Sequence, residues 1–332
     1  MIYSTIEFIS LMITLSFGIF ITLICSKYFS LPFGRSIILF IWHTFFSFIY
    51  AWYTINYYGD SLFYYQEAIS GITYFNVSND SIIFIASLIY YFTEISFLSM
   101  GILFGYFGFI GLLALDASLR FITKNTSKNI RFLATLIVLL PSINFWSSGF
   151  GKDSIAFMSV NLILWASLKL NKRKLLMIFG IFAMYIIRPH IALVMLLTLT
   201  FGLIFESKIK IIFRLFLIIF IMLVVISIIP LTLSFVGLSG TDLNFETIMN
   251  YIRIRQSHNW ENFSGGVNIS EINLISKIFT YLFRPLPMEA HSLFSFMSSL
   301  DNIFLLFLFI SGTIAKFRGA FTNSNLNLYF IL

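Results

Sequence analysis

The sequence predicts an all-α fold, a polytopic transmembrane bundle of about nine spans with a long outer loop that carries short helices. Three observations predict it. Hydrophobic residues make up 59% of the 332 residues and charged residues only 11%, against roughly 25% charged in a soluble domain. The apolar residues fall in long uncharged runs. The basic residues gather in alternate connections. A water-soluble fold of this length could not hide so much apolar surface, so the lipid bilayer is its natural solvent.

The runs expected to span are 8–25, 36–56, 95–115, 132–148, 154–168, 175–187, 191–205, 215–236 and about 292–315. Residues 81–93 form a further apolar stretch of 13, too short to cross alone and expected as an interfacial or re-entrant helix before Glu94. The tail 319–332 is also short and carries Asn323, Asn325 and Asn327. No basic n-region or small-residue cleavage site precedes the first run, so that run is expected to stay as a helix. Cys25 is the single cysteine, which leaves no disulfide framework within the chain and no zinc-ligand spacing. The chain 1–332 therefore reads as one integral membrane domain with outer loops at 57–94 and 237–291.

Orientation follows from charge. One set of connections holds Lys27 and Arg35; Arg120, Lys124, Lys128 and Arg131; Lys169, Lys172, Arg173 and Lys174; Lys208, Lys210 and Arg214; and Lys316 and Arg318, which is 15 of the 21 Lys and Arg. Basic residues stay on the cytoplasmic side, which puts the N-terminus outside and the C-terminus inside. The formal charge of +7 is then a topology signal, and no nucleic-acid partner is implied.

The outer face holds few polar residues, in five clusters. Gly59, Asp60 and Ser61 precede Tyr64, Tyr65 and Glu67; they suit either an aromatic belt at the interface or contacts to a sugar or lipid phosphate, with tyrosine faces stacking on sugar rings. The run Pro141-Ser-Ile-Asn-Phe-Trp-Ser-Ser-Gly-Phe-Gly-Lys152-Asp153-Ser154 frees the backbone between two spans and places Lys152 and Asp153 at the start of the next helix. Asp153 there suits the helix dipole, but a lysine is unusual on this side. The turn Ile187-Arg188-Pro189-His190 follows Lys174 by only 14 residues, roughly 21 Å of helix, where the hydrocarbon core is about 30 Å thick. Arg188 is thus expected below the outer surface, facing a partner or a watery cavity, and Pro189 breaks the helix beside it.

The last two clusters lie around the long loop. Arg253, Arg255 and His258 precede Trp260, and two arginines with a histidine suit a phosphate; a solvated helix pairing with Glu246 or Glu261 is the plain alternative. Arg284, Glu289 and His291 stand among Pro285 and Pro287 just before the last run, where an Arg284–Glu289 pair in a rigid lead-in is the simpler reading. There is no Walker A motif, no G-x-S-x-G, no H-E-x-x-H and no Asp-x-Asp pair for a nucleotide-sugar metal.

The strings FWSSGFGKDS, IRPH and YLFRPLPMEAHS, with the early GDSLFYYQEA, resemble the Wzy-like O-antigen and capsular polysaccharide repeat-unit polymerases of bacteria. The resemblance covers roughly residues 55–300. It implies a metal-independent glycosyltransferase of GT-C type in the bacterial inner membrane, with no cofactor. Such an enzyme joins undecaprenyl-diphosphate-linked oligosaccharide units at the periplasmic face, with the lipid bilayer and a chain-length regulator as further partners. Under that resemblance Lys152, Arg188, His190, Arg253, Arg255, Arg284, Asp60 and Tyr64 would contact substrate or its diphosphate, a task for cationic groups. The acceptor base would come from His258, His291 or Glu289.

Two other readings compete. A polysaccharide flippase or transporter usually shows charges lining its helices at mid-depth, whereas these gather at the outer ends. A membrane sugar O-acetyltransferase would want an Arg/His pair near an early inner loop. Arg35 and His43, eight residues apart, are a weak version of one.

Overall fold

The computed structural model describes residues 5–57, 59–204 and 272–317, with scattered positions between 212 and 254. The described residues are helical, without a strand. They belong to two compact units, Met1–Lys210 and Ile211–Ile331.

The first unit runs α1 (Thr5–Tyr28), α2 (Phe33–Tyr57), α3 (Asp60–Ile69), α4 (Asn79–Thr93), α5 (Phe97–Ile122), α6 (Lys128–Leu139), α7 (Pro141–Ser147), α8 (Lys152–Ser167), α9 (Leu170–Ile187) and α10 (Pro189–Ile204). In the second, α11 (Leu274–Phe283), a 3₁₀ turn (Pro287–Glu289) and α12 (Leu293–Phe317) are described. Among the described residues, five segments are long and apolar enough to cross a membrane: Glu7–Tyr28, Phe33–Tyr57, Phe97–Ile122, Lys128–Ser147 and Leu293–Ala315. They coincide with five of the expected runs. Three more runs, at 154–168, 175–187 and 191–205, appear as α8, α9 and α10, of 16, 18 and 16 residues. These fall short of the ~20 residues that cross a bilayer upright. The run at 215–236 lies outside the continuously described residues.

Proline explains two of the joints. Pro141 opens α7 and Pro189 opens α10. Lacking an N–H, each is tolerated in the first turn of a helix and cannot continue the one before it. The run 132–148 therefore bends at Leu140, and 175–205 divides at Arg188.

The core of the first unit is α5. Of its membrane-length window 72% is buried, against 22% for α1. In lipid there is little hydrophobic drive between helices, so close approach and interhelical hydrogen bonds decide association. α5 has both. A Cβ at Gly105 would stand 2.9 Å from the Ser148 carbonyl oxygen, and one at Gly108 would overlap the Ser147 carbonyl. Only glycine lets the α7–α8 turn press onto α5 there. The buried His43 of α2 lies 3.3 Å from Asn144 Oδ1 and 3.1 Å from the Gly105 carbonyl oxygen, tying α2, α5 and α7. Arg35 is used elsewhere: its Nε and Nη2 meet the Asp116 carboxylate at 2.8 and 2.6 Å, and Nη2 reaches Thr135 Oγ1 at 3.3 Å. Arg35 and His43 thus serve separate networks.

Candidate functional site

Three of the five sequence clusters meet in the first unit. Gly59 caps α3 at its N-terminus and puts Asp60 in the first turn. The turn after α7 delivers Lys152 and Asp153 to the first turn of α8. The α9–α10 joint holds Arg188. These residues stand at helix ends, outside the apolar runs 154–168 and 191–205.

Arg188 forms an ion pair with Asp153, with 31% and 49% of the two side chains exposed. Lys152 donates to Asn79 Oδ1 at 2.5 Å, and the Tyr64 hydroxyl donates to the same oxygen at 3.2 Å. Asn79 is thus the junction of α3, α4 and α8, and nothing in the sequence marked it. Its position is set by Ser78, whose N–H reaches the Ile186 carbonyl at 2.7 Å. Ser78 holds φ +78° and ψ −127°, a strained backbone for a residue with a side chain. Such strain is kept only where the surroundings over-determine it, and here the Ser81 hydroxyl also closes on the Ser78 carbonyl at 2.6 Å. On the far side, Ser61 donates to the Phe150 carbonyl at 2.5 Å and shares a hydrogen bond of 3.2 Å with Tyr50. The Ser61 bond to the Phe150 carbonyl thus ties GDS to the turn before GKDS, and the Arg188–Asp153 ion pair ties GKDS to IRPH.

The charges act on one another. Burial lowers the Lys152 ammonium below its usual range and Arg188 lowers it further, while Asp60 and Asp153 oppose. His190 is also held below the ordinary imidazole value of 6.5, first by burial and then by the Arg188 and Lys152 cations. It is neutral at pH 7 and able to accept a proton. The Tyr64 phenol is raised well above its usual value, by burial and then by Asp60 and Asp153.

The cluster differs from the expectation in two ways. It is mixed, two carboxylates facing two cations, where the expected contacts were mainly cationic with Asp60 among them. Tyr64 also offers no face to a sugar: it is 2% exposed and its ring sits edge-on to Phe150. Tyr65 is likewise held, its hydroxyl on the Ile95 carbonyl at 2.9 Å. Both rings anchor α3 beneath Asp60, because aromatic edges and a partnered hydroxyl are worth more buried than left at the interface.

In the second unit, Arg284 grips Glu289 through two hydrogen bonds, Nε to Oε2 at 2.9 Å and Nη2 to Oε1 at 2.5 Å. The Leu286 N–H adds a third at 3.0 Å. Arg284 accordingly holds the Glu289 carboxyl below the usual carboxylate range. His291 follows, exposed, before α12. Arg253, Arg255 and His258 lie outside the described residues. Among the described residues, no group of three or more His, Cys, Asp or Glu gathers as a metal site. Comparison of the chain with family models, curated proteins and solved structures gives no match.

Proposed function

We propose that this chain is a polymerase of lipid-linked oligosaccharide repeat units, acting on the outer face of a bacterial inner membrane as a metal-independent glycosyltransferase. The reading includes nine spans, an outside N-terminus, an inside C-terminus and the outer loop 237–291. The observation that carries it is the convergence of GDS, GKDS and IRPH. Segments up to 128 residues apart in sequence (Asp60 to Arg188) supply two cations, two carboxylates and a neutral histidine at one place.

The chemistry suits a donor that already carries a diphosphate. The acceptor hydroxyl attacks the anomeric carbon of the donor sugar. The bond to the diphosphate oxygen breaks, and lipid diphosphate leaves with the electron pair. Arg188 and Lys152 would neutralise that departing charge. Arg188 is held by Asp153 in an exposed pair of little net worth, so an incoming phosphate could take the guanidinium at small cost. The acceptor proton would pass to a neutral histidine. His190, held below the ordinary imidazole value by burial and then by the Arg188 and Lys152 cations, is one candidate, and His258 and His291 are the candidates of the long loop and its exit. Glu289 suits the base role less, since Arg284 and the Leu286 N–H occupy both its oxygens.

Deleting the gene and running the surface polysaccharide on a gel tests this reading. Loss of a polymerase leaves lipid A-core bearing a single repeat unit. Loss of a flippase leaves none, and loss of an O-acetyltransferase keeps the whole ladder; either pattern rejects the proposal. Polymerisation by purified protein should also persist in EDTA.

A further inference from the structure

On α2, α5 and α6 of the same unit lies a second charged feature, which the proposed reaction does not use. A cavity of about 440 Å³ opens between the C-terminal end of α5, the N-terminal end of α6 and the start of α2. Five cations line it, Arg35, Arg120, Lys124, Lys128 and Arg131, against one carboxylate, Asp116. That carboxylate is spent. It is 1% exposed, and Arg35 occupies both its oxygens. The four outer cations are exposed, and no ion pair to them forms among the described residues.

Lys128 and Arg131 are one helical turn apart on α6. Like charges at that spacing repel, and nothing in the cavity offsets the repulsion. An anion would. Its depth and remaining walls say which anion. The cavity sits at the end of α2 and α5, both of membrane-spanning length, which is the level of lipid headgroups. One wall is apolar, made by Leu119, Ala134 and Phe132, and Phe132 is 62% exposed. A free phosphate has no use for that wall, whereas a lipid's glycerol and upper acyl chain do.

We infer that this cavity binds the phosphate headgroup of an anionic phospholipid, with Arg120, Lys124, Lys128 and Arg131 as its contacts. Arg35 and Asp116 form the rigid floor, and Phe132 lies along the lipid. Basic residues beside a membrane already concentrate anionic lipid, by about 1 kcal/mol each, and enclosure in a cavity turns that attraction into a site. The inference is independent of the enzymatic reading.

The test uses the purified full chain in nanodiscs of phosphatidylcholine with a minor fraction of phosphatidylglycerol, followed by native mass spectrometry of retained lipid. The unaltered chain should retain phosphatidylglycerol. The combined variant Arg120→Gln, Lys124→Gln, Lys128→Gln and Arg131→Gln should lose that preference by at least about tenfold. Lys172→Gln with Lys174→Gln, basic residues outside the cavity, should keep it. A photoactivatable phosphatidylglycerol on the unaltered chain, which needs no variant to fold, should label the peptide 116–135. Equal retention by the fourfold variant, or labelling elsewhere, would overturn the proposal. So would saturation by inorganic pyrophosphate in detergent without preference for the anionic lipid, which would assign the cavity to a soluble phosphate.

Discussion

The two ends of the first helical unit handle charge in opposite ways. At the end carrying Lys152 and Arg188, cations and carboxylates alternate, and the one ion pair formed, Arg188 with Asp153, is 31% and 49% exposed. At the end carrying Arg35, one pair is locked, with Asp116 at 1% exposure, and four further cations surround a cavity without a counter-charge among the described residues. The first arrangement can be opened by a ligand because little stability rides on it. The second combines a buried structural pair with cations that form no ion pair among the described residues. Exposure, more than the kind of residue, separates a pair that a ligand can open from one that holds the fold.

The largest effect should come from removing the cation that the proposed reaction uses. Arg188→Ala is expected to reduce long-chain polymer at least ~100-fold, the scale of losing one charge-stabilising contact at a reacting centre, with normal protein level in the membrane. Arg188→Lys should rescue poorly, since a point charge does not replace a forked donor. Full polymer length in the Ala variant, on the surface-polysaccharide gel, would remove Arg188 from the site.

Stability should follow the reverse pattern. Asp116→Asn leaves Arg35 without its partner and should cost roughly 2–4 kcal/mol, at or below the range for a wholly buried pair because Arg35 is partly exposed. Asp153→Asn should cost less than about 1 kcal/mol. Reversible unfolding in mixed micelles measures both, and equal losses would erase the distinction between the two ends.

The smallest effect is a titration. His190 should titrate below 6.5 in the folded chain, because burial and the Arg188 and Lys152 cations all disfavour the imidazolium. Arg188→Gln removes one of those cations, so the value should move up toward the ordinary one. NMR of ring-labelled histidine reads both. A value at or above 6.5 in the unaltered protein would show that His190 lies away from the cations.

Much of this was legible in the sequence because it rests on local chemistry. Apolar runs free of charge must be helices in lipid, since no other open structure satisfies its backbone there. The break at Pro189 follows from a missing N–H and was expected; the run 132–148 was expected unbroken, and Pro141 interrupts it at Leu140. Asp153 stands in the first turn of α8, as expected of an acidic residue on the helix dipole. Arg188 was expected to find a partner, and it has one.

Other features depend on which helices lie side by side, and no spacing along the chain encodes that. Asn79 meets Lys152 across 73 residues, and Asp116 meets Arg35 across 81. Asp116 ends an apolar run beside a basic connection, so its sequence surroundings point to a cytoplasmic surface rather than to burial. Tyr64 looked like a sugar-stacking face because a tyrosine near a membrane end usually stays at the interface. Only the packing of α3 on Phe150 turned it inward. The sequence alone therefore determined the solvent, the helices, the break at Pro189 and the charge at each end. Tertiary structure decided which charges are paired and buried and which stay open, because that depends on glycine-mediated contact between α5 and the α7–α8 turn.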